Sequence, residues 1–235
     1  MLADDGYLYT PEAMKYDSNG NKIGTFVNTL GAHDIEFASN GDIYFTRLYG
    51  TIEVLKNGEE KLEEIAYLAG DSSSQKISLG PDGRIYQNGY YLRIFEPDGS
   101  LIKEIFSESG DVKIVDDKVY SLSFTYINVY DLDGNFYKTI PLDINLTNYY
   151  SNGISPSFDI DTNGDFYVAD MGANRIVVFD KDGNLLRTFG QGDYFPSSSS
   201  DEGGSSDGSN TPGFEIISLF SAIIILIFLF KKKRL

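Results

Sequence analysis

The feature that most constrains this chain is a recurring turn spelling. Asn40-Gly41, Asn57-Gly58, Asp82-Gly83, Asp98-Gly99, Asp133-Gly134, Asn163-Gly164 and Asp182-Gly183 each separate two short segments rich in Val, Ile, Tyr and Phe. A two-residue hairpin needs positive φ, which Gly reaches freely and Asn or Asp with little cost, so each dipeptide predicts a β-hairpin. Seventeen Tyr and sixteen Phe favour strands throughout.

The hairpins fall into a repeat. The clearest unit is "FDIDTNGDFYVADMGANRIVVFDKDGNLLRTFG" at 158–190, and three earlier units follow the same plan of strand, turn, strand, loop, strand, turn, strand. Tyr44, Tyr86, Tyr120 and Tyr167 open the second strand of each, at separations of 42, 34 and 47 residues. In one unit Asp116-Asp117 takes the place of the glycine-bearing turn. Four antiparallel strands repeated at this period predict an all-β propeller of four-stranded blades over 1–190. The last unit, with "YVAD", "NRI" and "FDKDGN" in order, resembles the NHL repeat, and the resemblance implies propeller blades whose loop face meets ligands. At the start, Asp5-Gly6 and Asn19-Gly20 supply the turns of a further blade that lacks most of its innermost strand. That truncation, and the absence of an export signal at Met1, lead to the expectation that the chain is the C-terminal part of a longer protein.

Two segments follow. Residues 191–213 are rich in Ser, Gly and Asp and read as a flexible tether. Residues 214–235, "FEIISLFSAIIILIFLFKKKRL", read as a membrane-spanning helix whose basic end stays in the cytoplasm, leaving the propeller outside. Thr211, Pro212, Gly213 and Phe214, with the apolar run and basic tail, resemble the Pro-Gly-Phe sorting signals of archaeal surface proteins. That resemblance implies removal of the helix and attachment of a lipid, although Glu215 departs from the pattern.

Composition removes several function classes. The chain has no Cys, which rules out disulfides, thiolate metal sites and a cysteine nucleophile. Residues 1–190 carry a net charge of −15 once the five acidic and four basic residues of 191–235 are set aside, so nucleic acid is excluded as a partner. The single histidine, His33, cannot complete a Ser-His-Asp set or a histidine-rich metal site, and it reads as a hydrogen-bonding turn residue. Asp159, Asp161, Asn163, Asp165 and Asp170 match the spacing of a calcium loop, but Gly164 is also the hairpin turn of the repeat, and the turn reading is preferred. No cofactor is expected.

Binding is the better-supported role. Arg47, Tyr49, Tyr90, Tyr91, Tyr126, Asn174 and Arg175 lie in the loops between second and third strands, and Tyr149 and Tyr150 lie in the longest inter-blade loop. Exposed tyrosine gives contact area at low entropy cost. Asn145 heads an Asn-Leu-Thr glycosylation acceptor in that same loop. The expectation is therefore a surface-displayed, membrane-anchored module that is not an enzyme and binds a protein or glycan. The alternatives are a lyase or hydrolase with its catalytic residues in upstream blades, and a cytosolic tail-anchored scaffold.

Overall fold

The computed structural model describes residues 6–11, 14–25, 32–47, 50–67, 76–107, 110–123, 125–143, 156–170 and 173–190. Their nineteen strands form five antiparallel sheets, the blades of an all-β propeller. The first sheet has three described strands: β1 (Leu8–Tyr9), β2 (Met14–Tyr16) and β3 (Lys22–Thr25). The second contains β4 (Ala32–Phe37), β5 (Ile43–Arg47), β6 (Ile52–Leu55) and β7 (Leu62–Ala66). The third contains β8 (Lys76–Leu79), β9 (Ile85–Asn88), β10 (Tyr91–Phe95) and β11 (Leu101–Phe106). The fourth contains β12 (Val112–Val115), β13 (Lys118–Leu122), β14 (Tyr126–Asp131) and β15 (Phe136–Pro141). The fifth contains β16 (Ser157–Ile160), β17 (Phe166–Asp170), β18 (Arg175–Phe179) and β19 (Leu185–Gly190). Within each sheet the strands follow one another in chain order.

The turn spelling does two jobs. Asp116 and Asp117 stand at φ 49° and 57°, so this turn carries two left-handed residues where the glycine-bearing turns carry one, at the glycine, and Asp tolerates that region better than most residues. At Gly99 and Gly183, in the hairpins before β11 and β19, φ is also positive, and a Cβ would run into the Ile65 and Pro141 carbonyls of the preceding blade. Glycine there lets one blade lie against the next as well as making the turn. Lys103 adds to this packing by donating to the Asp133 and Gly134 carbonyls at 3.1 and 3.0 Å.

The core is divided among the gaps between successive blades. Neighbouring residues of a strand point to opposite faces, so Phe45 packs with Tyr9, Ile35 and Leu55 against the first blade. Tyr44 packs with Ile52, Val54, Ile77, Ile85 and Phe95 against the third. The same division puts Tyr86 with Val112 and Val119 and Phe166 with Leu122, Ile127 and Ile140. The Tyr86 hydroxyl donates to the Leu132 carbonyl of the next blade at 2.8 Å.

Among the described residues, the innermost strands of the four later blades have no strand on their inner side, and carboxylates hold amides along that edge. The Ile77 amide donates to Asp34 Oδ2 at 3.0 Å. Val112 and Phe158 donate to the two oxygens of Asp111 at 2.8 and 3.1 Å, and Ile160 donates to Asp159 Oδ1 at 2.9 Å. Asp34 and Asp111 thereby tie one blade to the next. Because Asp111 is buried, Asp111→Ala leaves two amides without their acceptor and is expected to cost about 2–4 kcal/mol in urea unfolding. A loss below about 0.5 kcal/mol, the level of an ordinary surface substitution, would contradict this role.

Candidate functional site

The inner strands stand side by side around a channel. Ile35, Ile77, Val112 and Phe158 occupy equivalent places, opposite Phe45, Gln87, Ser121 and Val168 on the second strands. Their neighbours therefore make two polar rows. Asp34, Lys76, Asp111 and Ser157 lie nearer the inter-blade loops, and Glu36, Ser78, Lys113 and Asp159 lie one step further in.

These groups are not equivalent. Asp34, Asp111 and Asp159 hold backbone amides. Burial would depress the Lys113 ammonium, but the carboxylates of Asp111, Asp159, Glu36 and Asp34 around it hold its pKa well above the lysine range. Glu36 makes no hydrogen bond or ion pair among the described residues, and burial pushes its carboxyl up to about 7. The Lys113 charge works against that rise, and Asp34 and Asp111 add to it. At neutral pH Glu36 is thus the channel carboxyl free to exchange a proton.

His33 stands at the loop-side mouth. The pairing of β4 with β5 slips between Ala32 and Asp34, making His33 a bulge residue with no strand partner. Its Nδ1 is buried without a hydrogen-bond partner among the described residues, which corrects the expectation of a hydrogen-bonding turn residue. Burial and the Lys76 charge hold the imidazole below its usual pKa, against a smaller opposing pull from Asp34. The ring is therefore neutral at pH 7.

The residues proposed from sequence lie elsewhere around the channel. Arg47 is ion-paired with Glu53 at 2.5 Å, and Arg175 with Asp170 at 2.8 Å. Tyr91 packs edge-on against Phe106, with ring centroids 5.9 Å apart, and the Arg93 guanidinium lies 5.2 Å from its ring. Tyr90 is exposed and Tyr126 half-buried, while Asn174 takes φ 49° in the turn before β18. Tyr49, Tyr149, Tyr150, Asn145 and Thr211–Phe214 lie outside the described residues.

The structure does not bring the five calcium candidates together. Asp161 Oδ1 accepts the Asn163 and Asp165 amides at 2.8 and 3.0 Å, and Asp159 lines the channel. Asp165 and Asp170 flank β17 from opposite ends, ~17 Å apart at strand spacing. Among the described residues no group of three or more His, Asp or Glu is placed to hold a metal. No described helix is long and apolar enough to cross a membrane, and residues 214–235 lie outside the described set.

No protein-family model matches the chain, and no curated protein matches it. Solved structures do. A streptogramin B lyase aligns with TM-score 0.58 and 18% identity, over 80% of this chain and 66% of its own. Virginiamycin B lyase from Staphylococcus aureus aligns with TM-score 0.57 and 15% identity, over 81% of this chain and 68% of its own. A catalytically inactive histidine-to-alanine form of that enzyme with quinupristin gives TM-score 0.57 and 15% identity, over 83% and 69%. The chain thus spans about two thirds of the length of these propellers. They share its fold and they are enzymes, so the expectation that the chain is not one does not stand. That expectation rested on the missing histidine set, and these enzymes are built on the same architecture.

Glu36 gives a test by pH. Its folded pKa of about 7 lies above the ordinary 4.5, so its contribution to stability is complete below pH 4.5 and is lost as pH rises through 7. The urea midpoint is expected to fall across that window, and Glu36→Gln to remove that part of the fall. Equal pH slopes for parent and variant would contradict the assignment.

Proposed function

We propose that the chain carries out an elimination of the lyase kind at the loop-side mouth of its channel, with His33 taking the proton. In an elimination a base removes a proton from carbon, the bond to the leaving group breaks, and its electrons leave with that group while a double bond forms without added water. A base for this step must be unprotonated at the working pH and held within reach of the substrate. The observation that carries the reading is the bulged His33, kept neutral by burial and by Lys76. Bulges re-aim a side chain and are frequent beside active sites. Lys76 can hold the negative charge that develops on the substrate, and Tyr90 and Tyr91 at the same face offer recognition area. The solved neighbours support the reaction class, because they are lyases and a histidine-to-alanine change inactivates one of them.

The remaining features fit this reading as parts of the proposal. The blades are of the NHL kind, on the spelling of 158–190. Residues 191–213 tether the propeller to an anchor at 214–235, with the domain outside the cell. Its support is the apolar run closed by Lys231, Lys232, Lys233 and Arg234.

The test is to incubate the full chain in oxygen-18 water with a panel of esters and cyclic peptides headed by quinupristin, and to follow products by mass spectrometry. Cleavage without uptake of the label is expected, and His33→Ala is expected to lower the rate by about 100-fold or more with the melting temperature kept. A variant as active as the parent would overturn the assignment of His33, and label in the product would replace elimination with hydrolysis.

A further inference from the structure

The opposite mouth of the channel, on the hairpin side, opens into a cavity of about 790 Å³ between the second, third and fourth blades. Its size falls within the range of small-molecule sites. Three carboxylates reach it, from Glu36 in β4 and from Asp116 and Asp117 in the turn after β12. No Lys, Arg or His lines it. The rest of the wall is largely apolar or aromatic and includes Phe37, Tyr44 and Leu79.

Glu36 sits directly opposite Tyr44 across the β4–β5 pair, so its carboxylate and the aromatic ring share one face. Asp34, Asp111 and Asp159 are held by backbone amides, whereas Glu36 has no hydrogen-bond or ion-pair partner among the described residues. A half-buried carboxylate that faces an open cavity, with only the Lys113 charge beyond the cavity wall to offset it, carries an incompletely compensated cost that a bound cation would relieve. An aromatic wall beside it favours an alkylated ammonium.

We infer that this cavity is a binding site for a small organic cation, an amine or quaternary ammonium with an apolar body. The ammonium sits against Glu36 and Tyr44, its apolar part contacts Phe37 and Leu79, and Asp116 and Asp117 draw it in from the rim. A bare metal ion does not suit the site, because no described group of three or more metal-binding side chains is placed to hold one. The site lies on the other mouth from His33 and does not depend on the elimination chemistry.

The experiment is isothermal titration of the full chain with benzyltrimethylammonium, with benzyl alcohol and benzoate as the neutral and anionic counterparts. The cation is expected to bind, and the other two to bind at least about tenfold more weakly. Glu36→Gln is expected to weaken the cation about tenfold. The double variant Asp116→Asn and Asp117→Asn, whose side chains are exposed and whose change leaves the core untouched, is expected to weaken it several-fold. Benzyl alcohol binding as tightly as the cation would overturn the proposal. So would full affinity in both variants, or no heat from the cation.

Discussion

The inner strand of a propeller blade has a neighbour on one side only, and the rest of this structure depends on how its open edge is satisfied. Unpaired amides along that edge would invite strand addition or stand desolvated beside the next blade. Here carboxylates take them, with Asp34 holding Ile77 and Asp111 holding Val112 and Phe158. The same side chains fix the spacing between blades, and the apolar residues of adjacent sheets close the gaps around them. A channel lined with acids is thus first a structural necessity. Its chemistry comes from the groups left over once the edges are capped.

Those leftover groups divide between the two mouths. On the loop side, the bulge at His33 places a neutral imidazole beside Lys76. On the hairpin side, Glu36 has no hydrogen-bond or ion-pair partner among the described residues and faces a largely apolar wall. Lys113, surrounded by the carboxylates of Asp111, Asp159, Glu36 and Asp34, keeps the channel from being uniformly negative. Both sites arise from positions where the blade pattern is broken or incomplete, as functional sites commonly do.

What could be read from sequence follows the same physics. The hairpins, the blade repeat and the unusual Asp116-Asp117 turn were legible because positive φ leaves a local signature. The division of Tyr44 and Phe45 between two cores follows from strand alternation. The edge caps were not legible, since Asp34 and Ile77 are 43 residues apart and Asp111 and Phe158 are 47 apart. The bulge at His33 left no mark either, and Glu36 looked like any acid on a polar strand position. One signal of the channel does lie in the sequence: in the four later units an apolar residue of the inner strand is flanked by polar ones, which is unusual for so buried a strand. The calcium-loop spelling and the hairpin spelling coincide over 159–165, and only the path of the backbone separates them.

The most direct test is native-state hydrogen exchange at the inner strands. If carboxylates cap the open edges, the Ile77, Val112 and Phe158 amides exchange only with global unfolding, and Asp34→Asn or Asp111→Asn speeds exchange at the amide that each carboxylate holds. Exchange of these amides at the rate of exposed turn amides would contradict the account, and the two sites derived from the leftover groups would lose their foundation.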